Sequence, residues 1–149
     1  MNATYRRIEA SFKRQGMMQT IGCELVSVDK GRVEFALPIS EKVTQQQGAF
    51  HGGALGALAD ISCGYAALTV APEGMEVTSV EYKINFAAAA VGERVHCVGE
   101  VLRAGRTLAV CKAEIFDVKN GVRKSCGFMQ ATMIYIEAKY LAGKTNERA

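Results

Sequence analysis

The sequence predicts an α+β fold in which an antiparallel sheet of five to six strands wraps around one long central helix. The first observation is a run from Gly52 to Ala71 of almost pure apolar and small side chains, with Asp60 the single formal charge inside it. The second is the set of four strand-like segments that follow, about Met75 to Phe86, Arg94 to Arg103, Thr107 to Val118 and Val122 to Ile136. The third is a pair of shorter alternating segments ahead of the helix. A helix that is apolar all round needs cover on every side, and one sheet covers only half of it. A second copy of the chain is therefore expected to supply the rest.

Each element has its own signal. Tyr5, Ile8 and Phe12 recur at helical spacing between Asn2 and Gln15, with Arg6, Arg7, Lys13 and Arg14 on other faces as a solvated surface. Asn2 can cap this helix and Gly16 can end it, giving an N-terminal helix over 2–16. Cys23 to Val28 and Arg32 to Leu37 alternate around the turn Asp29-Lys30-Gly31. A polar stretch from Ser40 to Gly48, with Gln45-Gln46-Gln47, then leads to His51-Gly52-Gly53 at the start of the apolar run. Beyond the helix, Val95, Cys97, Gly99 and Val101 share one face of their strand, and His96 and Glu100 share the other. Ala109, Cys111, Ala113 and Ile115 line one face of the next, and such small residues leave room for a thick, buried helix. Turns fall at Ala104-Gly105-Arg106 and Asn120-Gly121, the latter a strong hairpin signal. The tail from Lys139 to Ala149 is polar and is expected to fray. Residues 1–149 read as one domain with its core over about 17–136.

Composition excludes several classes of function. The chain is 49% hydrophobic and 22% charged, ordinary for a globular protein. A net charge of +3 with no long basic block argues against nucleic acid, though it would help attract an anionic small ligand. Five cysteines without C-x-x-C spacing read as buried free thiols of a reducing compartment, so the expected location is the cytoplasm. Nothing basic sits beside Cys63 to make it a thiolate. With only His51 and His96, a histidine-rich metal site is excluded, and no metal is expected. The Gly52–Ala71 run is long enough to raise a membrane span, but Asp60 and the glycines argue against one. The N-terminus carries no apolar leader pattern.

Asp60 marks the candidate site. Burying a lone carboxylate costs several kcal/mol unless partners or chemistry compensate, and perturbed carboxylates cluster at active sites. The plainer alternative is a core aspartate satisfied by a hydroxyl such as Ser62 or a strand residue.

The string Gly48-Ala49-Phe50-His51-Gly52-Gly53-Ala54-Leu55, with Asp60 nine residues past the histidine and Gly105-Arg106-Thr107 between later strands, resembles the hotdog-fold acyl-CoA thioesterases. The closest subgroups are the phenylacetate-degradation type and the acyl-CoA thioesterase 13 type. The resemblance spans roughly Met17 to Ile136. It implies an acyl- or aryl-acyl-CoA substrate, no cofactor beyond the CoA of the substrate itself, and an assembly of at least a homodimer, with a homotetramer expected. It also implies roles for particular residues. Gln45 stands where the family commonly has an asparagine, six residues before the histidine. Ser79 aligns best with a hydroxyl that helps hold the water, and alternation allows only one of Thr78 and Ser79 to face the helix unless a bulge intervenes. The turn bearing Arg103, Gly105, Arg106 and Thr107 resembles the CoA-binding segment, and Arg123 and Lys124 could approach it from the next strand. Ala87-Ala88-Ala89-Ala90 replaces the family's proline after the Tyr82–Phe86 segment.

Chemistry gives these positions sense. A helix N-terminus offers unpaired N–H groups and partial positive charge, and Gly52 and Gly53 let a carbonyl approach without a Cβ in the way. Such donors stabilise the oxyanion formed by water attack, and a nearby carboxylate can take the water's proton or attack directly. His51 reads as an organiser of this loop. Asp60 lies about 12 Å from Gly52 along the same helix, so each helix start is expected to serve the Asp60 of a second copy. Two other functions fit the same pattern less well. A hotdog dehydratase or hydratase would use His51 with Asp60, and a non-catalytic acyl-CoA sensor would use the groove for binding alone.

Overall fold

The computed structural model describes residues 3–141. Its elements in chain order are α1 (Ala3–Phe12), α2 (Gly16–Ile21), β1 (Glu24–Asp29), β2 (Arg32–Pro38), α3 (Gly52–Leu68), β3 (Met75–Phe86), β4 (Arg94–Ala104), β5 (Leu108–Lys119) and β6 (Val122–Glu137). The six strands form one antiparallel sheet in the order β1-β2-β4-β5-β6-β3. This is the expected α+β arrangement, with α3 lying across β2, β4, β5 and β3.

Small residues set how closely helix and sheet approach. A Cβ at Gly99 of β4 would stand 2.2 Å from the Ser62 carbonyl oxygen, so the α3 backbone rests directly on that strand. Around this contact Val95, Cys97, Ala109, Cys111, Ala113 and Ile115 are buried on the helix side, as their alternation predicts. All five cysteines are buried and free. The β5–β6 hairpin turns through Asn120 (φ 49°) and Gly121 (φ 75°), the paired positive dihedrals that a two-residue turn requires.

The N-terminus departs from expectation. The first helix stops at Phe12, and Gly16 opens a second helix rather than ending the first. The reason lies in packing: Phe12 enters an aromatic cluster with Phe35 and Tyr65, and α2 then carries Met18 into the core. Gly22, left-handed at φ 76°, ends α2, and the Cys23 N–H reaches back to the Met18 carbonyl at 2.9 Å. The expected cap, Asn2, lies outside the described residues, as do 142–149 of the tail; 138–141 continue as a helical turn.

The central helix also ends earlier than its apolar run. Thr69 accepts the Gly31 N–H at 2.7 Å and donates to the Ala66 carbonyl at 2.7 Å, tying the helix end to the β1–β2 turn. On β2 the expected in–out alternation of burial is lost, because the outward residues are covered too. Glu34 is only 6% exposed there, held by His96 Nδ1 at 2.7 Å and Arg123 at 2.8 Å. Arg123 is thus committed to an ion pair on the outer face of the sheet, which corrects its expected approach to the CoA-binding turn. The paired groups outweigh burial, which alone would raise the Glu34 carboxyl, and hold it below the usual carboxylate range.

β3 is the edge strand beyond β6, and one irregularity in it controls the site. Its pairing slips by one residue between Ser79 and Glu81, leaving Val80 as a bulge. Unbulged alternation would group Ser79 with Glu81 and Lys83. The slip instead brings Tyr82 and Phe86 over α3, where Cβ atoms at Gly56 and Gly52 would meet their side chains.

Candidate active site

Asp60 projects from the middle of α3 toward β3, half-buried in this single chain. Ser79 donates its hydroxyl to Asp60 Oδ1 at 2.6 Å, so the bulge delivers Ser79, not Thr78, to the carboxylate. A hydrogen bond to an ionised group of this length belongs to the strong class. Of the two partners the plainer alternative named, the strand hydroxyl is the one present, in Ser79 itself, whereas the Ser62 hydroxyl is spent on the Leu58 carbonyl at 2.7 Å, four residues back in the same helix. Asp60 and Ser79 together border a cavity of about 310 Å³, lined also by Ala57, Ile61, Gly64 and Thr78.

The start of α3 builds a second, separate feature. His51 is its N-cap, and its Nδ1 accepts the Gly53 N–H at 2.8 Å. Nδ1 is therefore an acceptor, and the neutral ring carries its proton on Nε2. The His51 carbonyl takes the N–H groups of Ala54 and Leu55 at 2.9 and 3.1 Å. That leaves Gly52, among the described residues, as the first-turn N–H with no partner in the chain. Gly53 contributes its missing side chain, since a Cβ there would stand 3.0 Å from His51 Nδ1 and push the cap aside. Gly52 borders a cavity of about 370 Å³ walled by Gln45, Phe50, Phe86 and the segment Ala88 to Ala90. The Gln45 side chain closes its own loop by bonding Gln47 through both amide atoms, and its backbone N–H meets the Ala49 carbonyl at 2.9 Å.

The residues singled out thus divide into two groups on one chain. Asp60 and Ser79 share the first cavity; Gln45 and Gly52 share the second, with His51 and Gly53 beside it. Eight residues of helix separate Gly52 from Asp60, about 12 Å along its axis. The turn at Arg103, Gly105, Arg106 and Thr107 is exposed and stiffly built. Gly105 donates to the Leu108 carbonyl at 2.8 Å, and the Thr107 carbonyl accepts the Tyr135 N–H at 2.9 Å. Tyr135 pairs with Val77 in the wall of the Asp60 cavity, which places this turn at that end of the molecule. Neither Arg103 nor Arg106 makes an ion pair among the described residues.

Alternative chemistries find little support in the geometry. Burial pushes the thiols of Cys23 and Cys97 up to about 12 and raises Cys63, beside Asp60, as well, so no thiolate nucleophile is available there. Among the described residues, no three His, Cys, Asp or Glu side chains gather into a metal-binding group. No helix of the described chain is long and apolar enough to cross a membrane.

Sequence reasoning missed one group of side chains at the Asp60 cavity. Ser11, Gln15 and Tyr65 line it together, with Gln15 Nε2 donating to the Tyr65 hydroxyl at 3.0 Å and that hydroxyl donating to Ser11 Oγ at 3.0 Å. Ser11 and Gln15 read as the polar side of a terminal helix; Ser11 meets Tyr65 from within α1, and the break after Phe12 is what brings Gln15 to the same hydroxyl.

Comparison with known proteins bears on the family and the fold. The family model of the thioesterase superfamily matches residues 47–124, which include the start of α3 and Asp60. The chain is 33% identical over 103 residues to a 1,4-dihydroxy-2-naphthoyl-CoA hydrolase of Listeria monocytogenes, covering 68% of this chain and 83% of that protein. It is 28% identical over 116 residues to human acyl-coenzyme A thioesterase 13, covering 76% and 82%. A crystal structure of a thioesterase family protein from Silicibacter pomeroyi superimposes with a TM-score of 0.88 at 34% identity, covering 91% of this chain and all of that one.

Proposed function

The chain belongs to the thioesterase superfamily, and we propose that it hydrolyses an acyl-CoA thioester to the free acid and CoA at a site made jointly by two copies. Its sheet wrapped over α3 is the hotdog fold, and the enzyme is a thioester hydrolase. The observation that carries the shared site is the division of the parts: a hydrogen-bonded Asp60–Ser79 pair in one cavity and an unpartnered Gly52 N–H in another, too far apart to act on one carbonyl. Two α3 helices side by side and antiparallel would set each Asp60 against the other's helix start. The free edge of β3 and the half-exposed rings of Tyr82 and Phe86 supply a surface for that partner.

In this reading the thioester carbonyl accepts the Gly52 N–H, with the positive end of the α3 dipole behind it. His51 holds the loop by capping Gly53, and Gln45 forms part of the same wall. Asp60 of the partner copy, oriented by Ser79, takes a proton from water as the oxygen attacks the carbonyl carbon. The carbonyl electrons move to the oxygen at Gly52. When they return, the carbon–sulfur bond breaks and the CoA sulfur leaves with the proton from Asp60. Direct attack by Asp60 is the variant of this scheme, giving an anhydride that water then opens. Water is the sole co-reactant, so no cofactor is invoked. Arg103 and Arg106 are assigned to CoA phosphates, with Gly105 and Thr107 shaping their turn. The assembly proposed is at least a homodimer, with a homotetramer its fuller form, and the buried free thiols suit a cytoplasmic enzyme.

A dehydratase would need a basic imidazole nitrogen at the reacting carbon, whereas His51 Nδ1 is occupied as a cap and Nε2 carries the ring proton. Assay of the purified protein against short, medium, long and aryl acyl-CoAs, with thiol release as readout, tests the reading. Turnover by wild type and its loss in folded Asp60→Asn are expected; near wild-type turnover in that variant would remove Asp60 from the mechanism.

A further inference from the structure

The inward stripe of β5 ends on a charge. Ala109, Cys111, Ala113 and Ile115 lie on the helix side of the strand, and the next position of the same alternation is Asp117, paired across the sheet with the fully buried Val95. Asp117 makes no ion pair among the described residues. Its carboxylate is held by backbone instead: Oδ1 accepts the Gly92 N–H at 2.8 Å and Oδ2 accepts the Val91 N–H at 3.2 Å. Gly92 is what lets these atoms meet, since a Cβ there would run into the Val118 carbonyl oxygen and stand 2.7 Å from Asp117 Oδ1.

Val91 and Gly92 belong to the connection between β3 and β4, residues 87–93. The β5–β6 hairpin fastens this connection at both ends. The N–H groups of Ala87 and Ala88 reach the Cys126 carbonyl at 2.9 and 3.2 Å, and the Glu93 N–H reaches the Val118 carbonyl at 3.0 Å. Between these anchors one carbonyl turns to the start of α3: Ala90, only 1% exposed, accepts the Phe50 N–H at 3.0 Å. Phe50 immediately precedes the cap His51, whose own N–H is held by the Val43 carbonyl at 2.8 Å. A run of contacts therefore leads from the Asp117 carboxylate, through Val91 and Gly92 and the Ala90 carbonyl, to the residues that aim the Gly52 N–H. Hydrogen bonds to a carboxylate belong to the strong class, so the pair at Asp117 outweighs the single neutral bonds beside it.

We propose that Asp117 is a positioning residue for hydrolysis: by clamping Val91 and Gly92 it fixes the Ala90 carbonyl and, through Phe50, the helix start whose Gly52 N–H receives the oxyanion. The inference rests on the reading of Gly52 above and adds a residue that lies outside the Gly52 cavity. An oxyanion donor must point at the place the charge will occupy, and misplacement by about 1 Å can cost on the order of 10²-fold in rate. The contribution of Asp117 is bounded by that of the donor it aims, which is also about 10²-fold.

The test pairs kinetics with amide exchange. Asp117→Ala should lower kcat on an acyl-CoA roughly 10- to 100-fold and leave KM within about twofold, because the interaction it weakens is made in the transition state. Asp117→Asn keeps one acceptor for the Gly92 N–H and should fall between wild type and Asp117→Ala; it carries every measurement if Asp117→Ala does not fold. In a Gly52→Pro background, which has already lost the donor, Asp117→Ala should cost less than about twofold more. A merely structural residue would cost the same factor in both backgrounds. Losses that multiply in the double variant, or a raised KM with kcat kept, overturn the proposal. Hydrogen exchange read residue by residue needs no turnover. The Phe50 amide should exchange roughly tenfold faster in Asp117→Ala, while Cys97 and Ala113 inside the sheet keep their wild-type rates. Phe50 exchange that is unchanged, or raised only as much as theirs, overturns the proposal. If wild type hydrolyses no thioester, the hydrolase reading fails, and the Phe50 rate still decides whether Asp117 holds the helix start.

Discussion

Mixing two inactive variants tests the shared site directly. Gly52→Pro deletes the one first-turn N–H left without a partner, at a position where proline is favoured in helices and its fixed φ suits the backbone. Its new Cβ would stand 3.2 Å from Phe86 Cζ, so Gly52→Ala serves as the control that adds the Cβ but keeps the donor. Loss of an oxyanion donor costs about 10²-fold in kcat, and loss of the Asp60 base by Asp60→Asn costs on the order of 10²-fold or more. Each variant alone is therefore nearly silent. When the two chains are co-expressed in equal amounts and assemble at random, half of the sites draw an intact Gly52 from the chain altered at Asp60. Half of those draw an intact Asp60 from the chain altered at Gly52, so about one quarter of wild-type turnover should return. The figure holds for a dimer or a tetramer, because each site counts one helix start and one carboxylate. Thiol release per mole of chain measures it, and sedimentation confirms the mixed assembly. Activity that stays at the mean of the two variants would refute sharing, and Gly52→Pro keeping as much activity as Gly52→Ala would refute the N–H as the oxyanion donor.

Further outcomes follow from other contacts. Ser79→Ala should lower kcat roughly 10- to 100-fold with little change in KM, the scale of a hydrogen bond to a charged group, and Ser79→Thr should recover part of the loss. Arg103→Ala with Arg106→Ala should mainly raise KM for full-length acyl-CoA at low salt, fade at high ionic strength, and have no effect on a thioester lacking the nucleotide; equal KM values at low salt would place the phosphates elsewhere. Gly99→Ala should cost about 1–3 kcal/mol of stability in denaturant titration, since its Cβ would stand 2.2 Å from the α3 backbone at Ser62. The lowered carboxyl of Glu34 stabilises the fold fully above the ordinary carboxylate range and less as pH falls through its folded value, so stability should drop on acidification below about pH 4.5. Glu34→Gln should lose stability at neutral pH and flatten that acid limb; an unchanged limb would assign it to other carboxylates.

The elements of the core were legible because each had a strong local cause. A period of two with small inward residues marked β4 and β5, and Asn120-Gly121 marked the hairpin after them. The second terminal helix had no such mark: in its six residues only Met18 is buried, too little for a period, and Gly16 suits a helix end as well as a start. The cover over Glu34 was also hidden. Its partners His96 and Arg123 lie 62 and 89 residues away, and a glutamate on an alternating strand reads as solvated until the strands beside it are known.

At the site, legibility follows how much of the cause is local. Asp60 stood out because an isolated charge in an apolar helix is visible within a few turns of sequence. Ser79 and Thr78 could not be separated by alternation, since a single bulge at Val80 decides which hydroxyl faces α3, and Val-Thr-Ser-Val-Glu-Tyr carries no residue that announces it. The proposed oxyanion donor required the hydrogen bonds of the helix start. Two adjacent glycines looked equivalent there, and only the His51 cap, by taking the Gly53 N–H, leaves Gly52 free. That asymmetry bears on the shared site too. If the helix start and Asp60 of one chain served each other, the helix between them would have to bend by several ångströms. α3 instead runs unbroken from Gly52 to Leu68. The rise of the helix thus holds the two halves of the proposed chemistry apart on each chain, and the second copy in the proposal is what would join them.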